Sequence, residues 1–256
     1  MVGKLIFQGF IVGILAGLLG FGYARVVAEP QMEAAIHFES EQDEAKAAAA
    51  RAAGKPAEPE APEIFSRSVQ SGIGLLTGVV AVGAGLGALF AVLFAFANGR
   101  IGSWGPGATA VLLAFLGFLS FYLVPALKYP PNPPAVGEPD TIQLRSGLYF
   151  LMMAISVGAT VGAWTLGSRL ARTQGLWNGC VAAFVAYLVV LGLAFAVLPA
   201  VNEVPANFPA VTLWNFRVAS VGSWVVLWGG VGLIFGTIAE WSLAARRAPG
   251  TSLRAH

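Results

Sequence analysis

The chain predicts an all-α polytopic membrane protein: about six transmembrane helices, arranged as three helical hairpins with an internal repeat. Three observations carry this reading. Of its 256 residues, 57% are hydrophobic and 11% are charged, against about 25% charged in ordinary soluble domains. With a mean hydropathy of +0.73, a soluble chain would lack the polar surface to cover itself. Apolar segments near 4–27, 69–97, 106–127, 146–167, 174–198 and 218–241 each reach the roughly 20 residues a helix needs to cross about 30 Å of hydrocarbon. Isolated strands would leave backbone groups unpaired in lipid, so these segments are read as helices. Finally, two of the loops between them are near copies of each other.

The first segment, residues 1–27, opens with Lys4 and ends in Val26-Val27-Ala28. That layout also fits a signal peptide cleaved after Ala28. The length of the run and its glycine pattern favour a retained helix. Gly9, Gly13 and Gly17 recur every four residues and share one face. Small faces let helices approach closely where no hydrophobic force joins them. Gly74/Gly78, Gly83/Gly87, Gly158/Gly162 and Gly232/Gly236 repeat the device.

Residues 28–66 form an acidic segment followed by a linker. Residues 28–39 fit a short amphipathic helix with Pro30 near its start, where a missing N–H costs nothing. Residues 40–63 are rich in Ala, Glu, Lys and Pro without an apolar face, and are read as a flexible linker. The bundle proper occupies 67–241, and 242–256 forms a tail.

The stretch Pro125-Ala-Leu-Lys-Tyr-Pro-Pro-Asn-Pro-Pro-Ala-Val-Gly-Glu-Pro-Asp140 lies between two spans. Each proline fixes φ and removes a donor, and residues before proline turn extended. The expected product is a stiff cap with outward carbonyls and few N–H groups. Pro125–Val136 is matched by Pro199–Val211 with one residue inserted. An arginine follows each loop, Arg145 and Arg217, and Arg67 opens the second span in the same way. Internal repeats are a transporter signature. A basic residue at a span end snorkels to headgroups. A second role pairs Glu138 or Asp140 with Arg145, and Glu203 with Arg217, to lock adjacent loops or gate an opening. Tyr129, Asn132 and Asn207 complete this loop set. The asparagines serve turn hydrogen bonds or offer an exposed ligand oxygen.

Trp104, Trp177, Trp214 and Trp241 lie near span ends, as an interfacial belt would. Trp164, Trp224 and Trp228 are deeper and read as packing residues. Cys180, the single cysteine, is read as a small packed helical residue. With six spans, Lys4, Arg100, Arg169, Arg172, Arg246, Arg247 and Arg254 share a side with one acid, Glu240. The basic excess places that side and both termini in the cytoplasm of a bacterial inner membrane. The proline loop then faces outward.

No Asp, Glu, Lys, Arg or His lies at a span centre, which argues against a carboxylate proton relay. No GxxxxGK[ST], HExxH or GxSxG occurs, so ATP hydrolysis and the common hydrolase chemistries have no motif here. The chain is read as a non-enzyme with no permanently bound cofactor. No basic cluster points to nucleic acid. The remaining polar option is a metal site. Glu29, Glu33 and His37 fall at i, i+4 and i+8 on one helix face, with Glu39 beside them. Mixed O/N donors suit borderline divalent ions, though an acidic helix face is also commonly just solvated.

These features resemble the CbtA family, a predicted cobalt-transporter membrane subunit. The resemblance rests on Glu29-Pro30, Ala34-Ala35-Ile36 and Glu39, then on Leu127-Lys-Tyr-Pro-Pro-Asn-Pro-Pro-Ala-Val-Gly137, Asp140-Thr-Ile142 and Arg145. It continues through Phe208-Pro209, Leu213-Trp214, Phe216-Arg217 and Ser220. It implies a permease subunit for a divalent cation, cobalt, working beside CbtB, a small single-span partner with a histidine-rich end. The long Ala/Glu/Lys linker departs from the family pattern. The rival reading is a membrane scaffold whose stiff loops are docking surfaces.

Overall fold

The computed structural model describes residues 2–55 and 64–247. Linker residues 56–63 and the tail from 248 onward lie outside the described residues. All regular structure among the described residues is helical. Six helices are long and apolar enough to cross a membrane: α1 (Gly3–Ala52), α2 (Arg67–Ala97), α3 (Pro106–Lys128), α4 (Pro139–Gln174), α5 (Leu176–Val197) and α6 (Ala210–Ser242, continuing to Arg247). Large apolar side chains such as Phe7, Phe115, Phe150 and Phe184 remain exposed on them, which lipid would cover.

Two prolines lie inside helices rather than at their starts. Pro30 follows a π-turn at Ala24–Ala28, and Pro125 follows one at Leu119–Leu123. A proline ring clashes with the carbonyl four residues back and donates nothing to it. Widening the preceding turn relieves the clash without ending the helix. The carbonyl four residues before Pro125, that of Phe121, accepts the Tyr149 hydroxyl at 3.3 Å. In lipid a carbonyl freed by proline needs a substitute donor.

The region after Pro30 differs from the sequence expectation. Residues 40–52 continue the helix instead of forming a linker. Ala, Glu and Lys are strong helix formers, and Lys46 meets Asp43 at 2.9 Å one turn back. Helix formation here needs no apolar face, because it extends a helix already nucleated by the first span.

The chain divides into two compact units that cut across the three hairpins read from the sequence. Of the described residues, the first comprises 2–23, 67–116 and 223–247; the second comprises 24–55, 64–66 and 117–222. In the first unit, α1 and α2 lie backbone to backbone. A Cβ on Gly13 would overlap the Gly83 carbonyl, one on Gly9 the Gly87 carbonyl, and one on Gly17 would stand 2.8 Å from Val80 Cα. Phe235 of α6 packs edge-on to Phe90 and Phe94, with centroids 5.3 and 5.0 Å away. Glu240 Oε2 accepts the Gly107 N–H at 2.8 Å, placing a carboxylate at the positive N-terminus of α3.

In the second unit α4 and α5 turn about Gly175 (φ +89°) and close on each other at Gly167 and Gly179. Val124, Tyr129, Leu148, Met152 and Leu191 form a buried cluster here. Ser120 and Thr160 share a hydrogen bond of 2.7 Å within the unit. Gly158 and Gly162 are expected to serve a close approach, yet a Cβ added at either would meet nothing within 4 Å. The working pair, Gly167/Gly179, is split between two helices and so shows no GxxxG spacing. Cys180 is exposed, not packed. Trp104, Trp177, Trp214 and Trp241 are exposed, and Trp228 is buried.

Gly13→Ala should lower stability in detergent by about 1–3 kcal/mol, the range for forcing a methyl group into a filled contact. Gly158→Ala should be neutral or slightly stabilising, since it gains helix propensity in open space. Thermal unfolding of the two variants checks the pair; equal losses would contradict the close α1–α2 contact.

Candidate functional site

Proline-rich loops have more acceptors than donors. Five prolines between 130 and 139 offer carbonyls but no N–H. Side chains must therefore bring the donors, and they come from the neighbouring loop and from the helix entries. Lys128 Nζ donates to the Phe195 carbonyl at 2.8 Å. Tyr129 Oη donates to the Pro199 carbonyl at 2.9 Å. Arg217 donates through Nη2 to Asn132 Oδ1 at 3.0 Å and through Nε to the Pro131 carbonyl at 3.4 Å.

Glu203 ties the two loops from the other direction. Its Oε2 accepts the Glu138 N–H at 2.8 Å and stands 3.4 Å from Arg145 Nε. The Thr141 hydroxyl lies 2.9 Å from both this oxygen and the Glu138 carbonyl. Arg145 Nη2 also donates to the Glu138 carbonyl at 3.1 Å. The Glu138 amide, the Thr141 hydroxyl and Arg145 together hold the Glu203 carboxyl below the usual glutamate range. Burial pushes the Tyr129 hydroxyl up.

The pairing is crossed relative to the sequence expectation. Arg145, which follows the first loop, meets the carboxylate of the second; Arg217, which follows the second loop, meets Asn132 of the first. Glu138 contributes its backbone rather than its carboxylate, and its side chain is exposed, as are those of Asp140 and Asn207. Local sequence distance favours pairs within a loop, whereas the fold lays the two loops together and satisfies each from the other.

A further tie comes from the helix that replaces the expected linker. Glu39 Oε1 accepts the Ala135 N–H at 3.2 Å. Ala35 and Phe38 pack with Val136 and Phe208, the two rings meeting edge-on at 4.9 Å. The loop thus has an apolar anchor, where the sequence suggests a cap that stands alone. Ala135 (φ +63°) and Gly137 (φ +115°) make the left-handed bends. A Cβ at Gly137 would displace the Arg145 guanidinium, and the positive φ favours glycine at this position.

The four residues grouped as metal ligands are dispersed in role. Glu29 is buried, while Glu33 and His37 are exposed on the same helix. His37 Nδ1 lies 3.5 Å from Glu41, and Glu39 is turned to the loop. Among the described residues, no group of three His, Cys, Asp or Glu side chains is placed to hold a metal ion. The clasped loops help to line a cavity of about 460 Å³ whose wall includes Tyr122, Asn132, Arg145, Tyr149, Glu203 and Arg217. Sequence reasoning gives no bonding role to Lys128, Thr141 or the Phe121 carbonyl. The density of donor-free residues around them is the signal that could have found them.

Because its pKa is lowered on folding, Glu203 adds stability above the ordinary glutamate range and loses it as pH falls through the lowered value. Thermal stability should hold from neutral pH to about 4.3, the ordinary glutamate pKa, and decline below it. Glu203→Gln should lower the plateau and remove this part of the acid decline. Unfolding scans of both proteins across that range read the difference; parallel curves would contradict the ion pair.

A family model described as "Probable cobalt transporter subunit (CbtA)" matches residues 2–240. No curated protein and no solved structure matches the chain significantly. The matched span runs from α1 into α6 and includes both clasped loops and every residue of the clasp. The chain belongs to the CbtA family.

Proposed function

We propose that this chain is the membrane permease subunit for a divalent transition-metal cation, cobalt, and that it works beside a small single-span, histidine-rich CbtB-like subunit. Membership of a family described as a cobalt transporter subunit supports this reading. The observation that carries the mechanism is the crossed clasp between the two proline-rich loops. Two arginines, one carboxylate and one asparagine close adjacent loops by a few polar bonds, a number small enough to break and reform. Tyr129, Asn132, Glu138, Asp140, Arg145, Glu203, Asn207 and Arg217 form the gate region in this reading, which faces the periplasm with both termini in the cytoplasm.

Glu29, Glu33, His37 and Glu39 are the cation-attracting group on α1. Oxygen and nitrogen donors of this kind suit cobalt, but among the described residues the chain supplies too few in one place. The partner's imidazoles would complete the shell. The ion is transported, not retained, and the chain itself carries no catalytic step. The scaffold alternative predicts instead that loop and ligand substitutions leave cobalt flux untouched.

Cells carrying the gene pair should accumulate cobalt faster than cells lacking it, and Glu33→Ala with His37→Ala should reduce the gain several-fold. Equal uptake with and without the pair would end the transport reading. Crosslinking Glu138→Cys to Glu203→Cys in a Cys180→Ser background should block uptake reversibly; undiminished flux would remove the gate. Asp140→Cys and Asn207→Cys should react with an impermeant thiol reagent from the periplasmic side, and labelling only from the cytoplasm would reverse the orientation.

A further inference from the structure

The cavity lined by the clasp has the wrong charge for a bare dication. Its wall carries two guanidiniums, Arg145 and Arg217, and a single carboxylate, Glu203. That carboxylate is already committed: one oxygen faces the Glu138 amide, the Thr141 hydroxyl and Arg145. Glu203 and Arg145 therefore neutralise each other.

Arg217 has no such partner among the described residues. It is half-buried, and both its acceptors, Asn132 Oδ1 and the Pro131 carbonyl, are neutral. A guanidinium has five N–H donors; two are used in these bonds, and among the described residues the others meet no acceptor. A partly buried cation without a counter-charge is costly, and a bound anion would remove that cost. Arginine also matches the planar geometry of carboxylate and phosphate oxygens. The rest of the wall suits a small organic body. Tyr122, Tyr149, Phe150 and Ile142 provide aromatic and apolar surface, and Ser146 and Asn202 add neutral polar groups. The volume of about 460 Å³ falls within the ordinary range for small-molecule sites, about 300–1,000 Å³.

We propose that this cavity is an oxyanion site, in which Arg217 holds a carboxylate or phosphate group of a small organic anion or of a lipid headgroup. This goes beyond the transport reading and does not depend on it: the site stands or falls whether or not cobalt uptake requires the chain.

The test uses the full chain in phosphatidylcholine nanodiscs, titrated calorimetrically with citrate and with inorganic phosphate. A parallel preparation made with added phosphatidylglycerol is read by native mass spectrometry for retained lipid. The wild type should bind a soluble probe, or retain the anionic lipid; the first result assigns a free anion and the second a headgroup. Arg217→Gln should weaken either signal tenfold or more. Ser146→Asp adds a carboxylate to the wall without touching a clasp bond, and should weaken binding similarly if Arg217→Gln fails to fold. Absence of both signals in the wild type would overturn the proposal. So would equal binding by the wild type, Arg217→Gln and Ser146→Asp.

Discussion

A proline-rich loop makes few backbone bonds within itself, and this constraint shapes the second unit. Prolines leave carbonyls in surplus and amides scarce. The donors come from Lys128, Tyr129, Tyr149, Arg145 and Arg217, each of which donates to a main-chain carbonyl of a loop or helix end. Long cationic and phenolic side chains can reach such carbonyls from a neighbouring segment, so most of these bonds run between segments distant in sequence. Beyond single turn bonds such as Val136 N–H to the Pro133 carbonyl and Phe208 N–H to the Pro205 carbonyl, the loops are held by each other.

The same deficit operates within helices. Pro30 and Pro125 widen the preceding turns instead of breaking α1 and α3. In the widened α3 the Phe121 carbonyl accepts the Tyr149 hydroxyl, beside the cavity. The uninterrupted α1 carries Glu39 and Phe38 to the Ala135–Val136 bend. Local rules about one residue type thus tie α1 to the first loop and α4 to α3 within the second unit.

The spans are legible in the sequence because lipid demands long apolar helices and tolerates little else. The Gly9/Gly13/Gly17 face is legible too, because close approach on one helix leaves a four-residue period. Gly167 and Gly179 leave no such trace, since each helix of that pair contributes a single glycine. The extension of α1 past residue 39 is hidden from any reading that requires an apolar face of it, whereas a helix already begun needs only good formers. The arginines stand out along the chain, but proximity matches Arg217 with Glu203, and the fold exchanges the partners. Sequence marks which groups need partners; the three-dimensional arrangement of the loops decides who supplies them.

Charge and carbonyl bonds across the two loops hold them closed. The distance distribution between spin labels at Asp140 and Asn207, both exposed and outside the clasp, reports this most directly in a Cys180→Ser background. The otherwise native chain should give a single narrow distribution, and combining Arg145→Gln with Arg217→Gln should give a broad or longer one. The same narrow distribution in both proteins would mean that the clasp does not hold the loops.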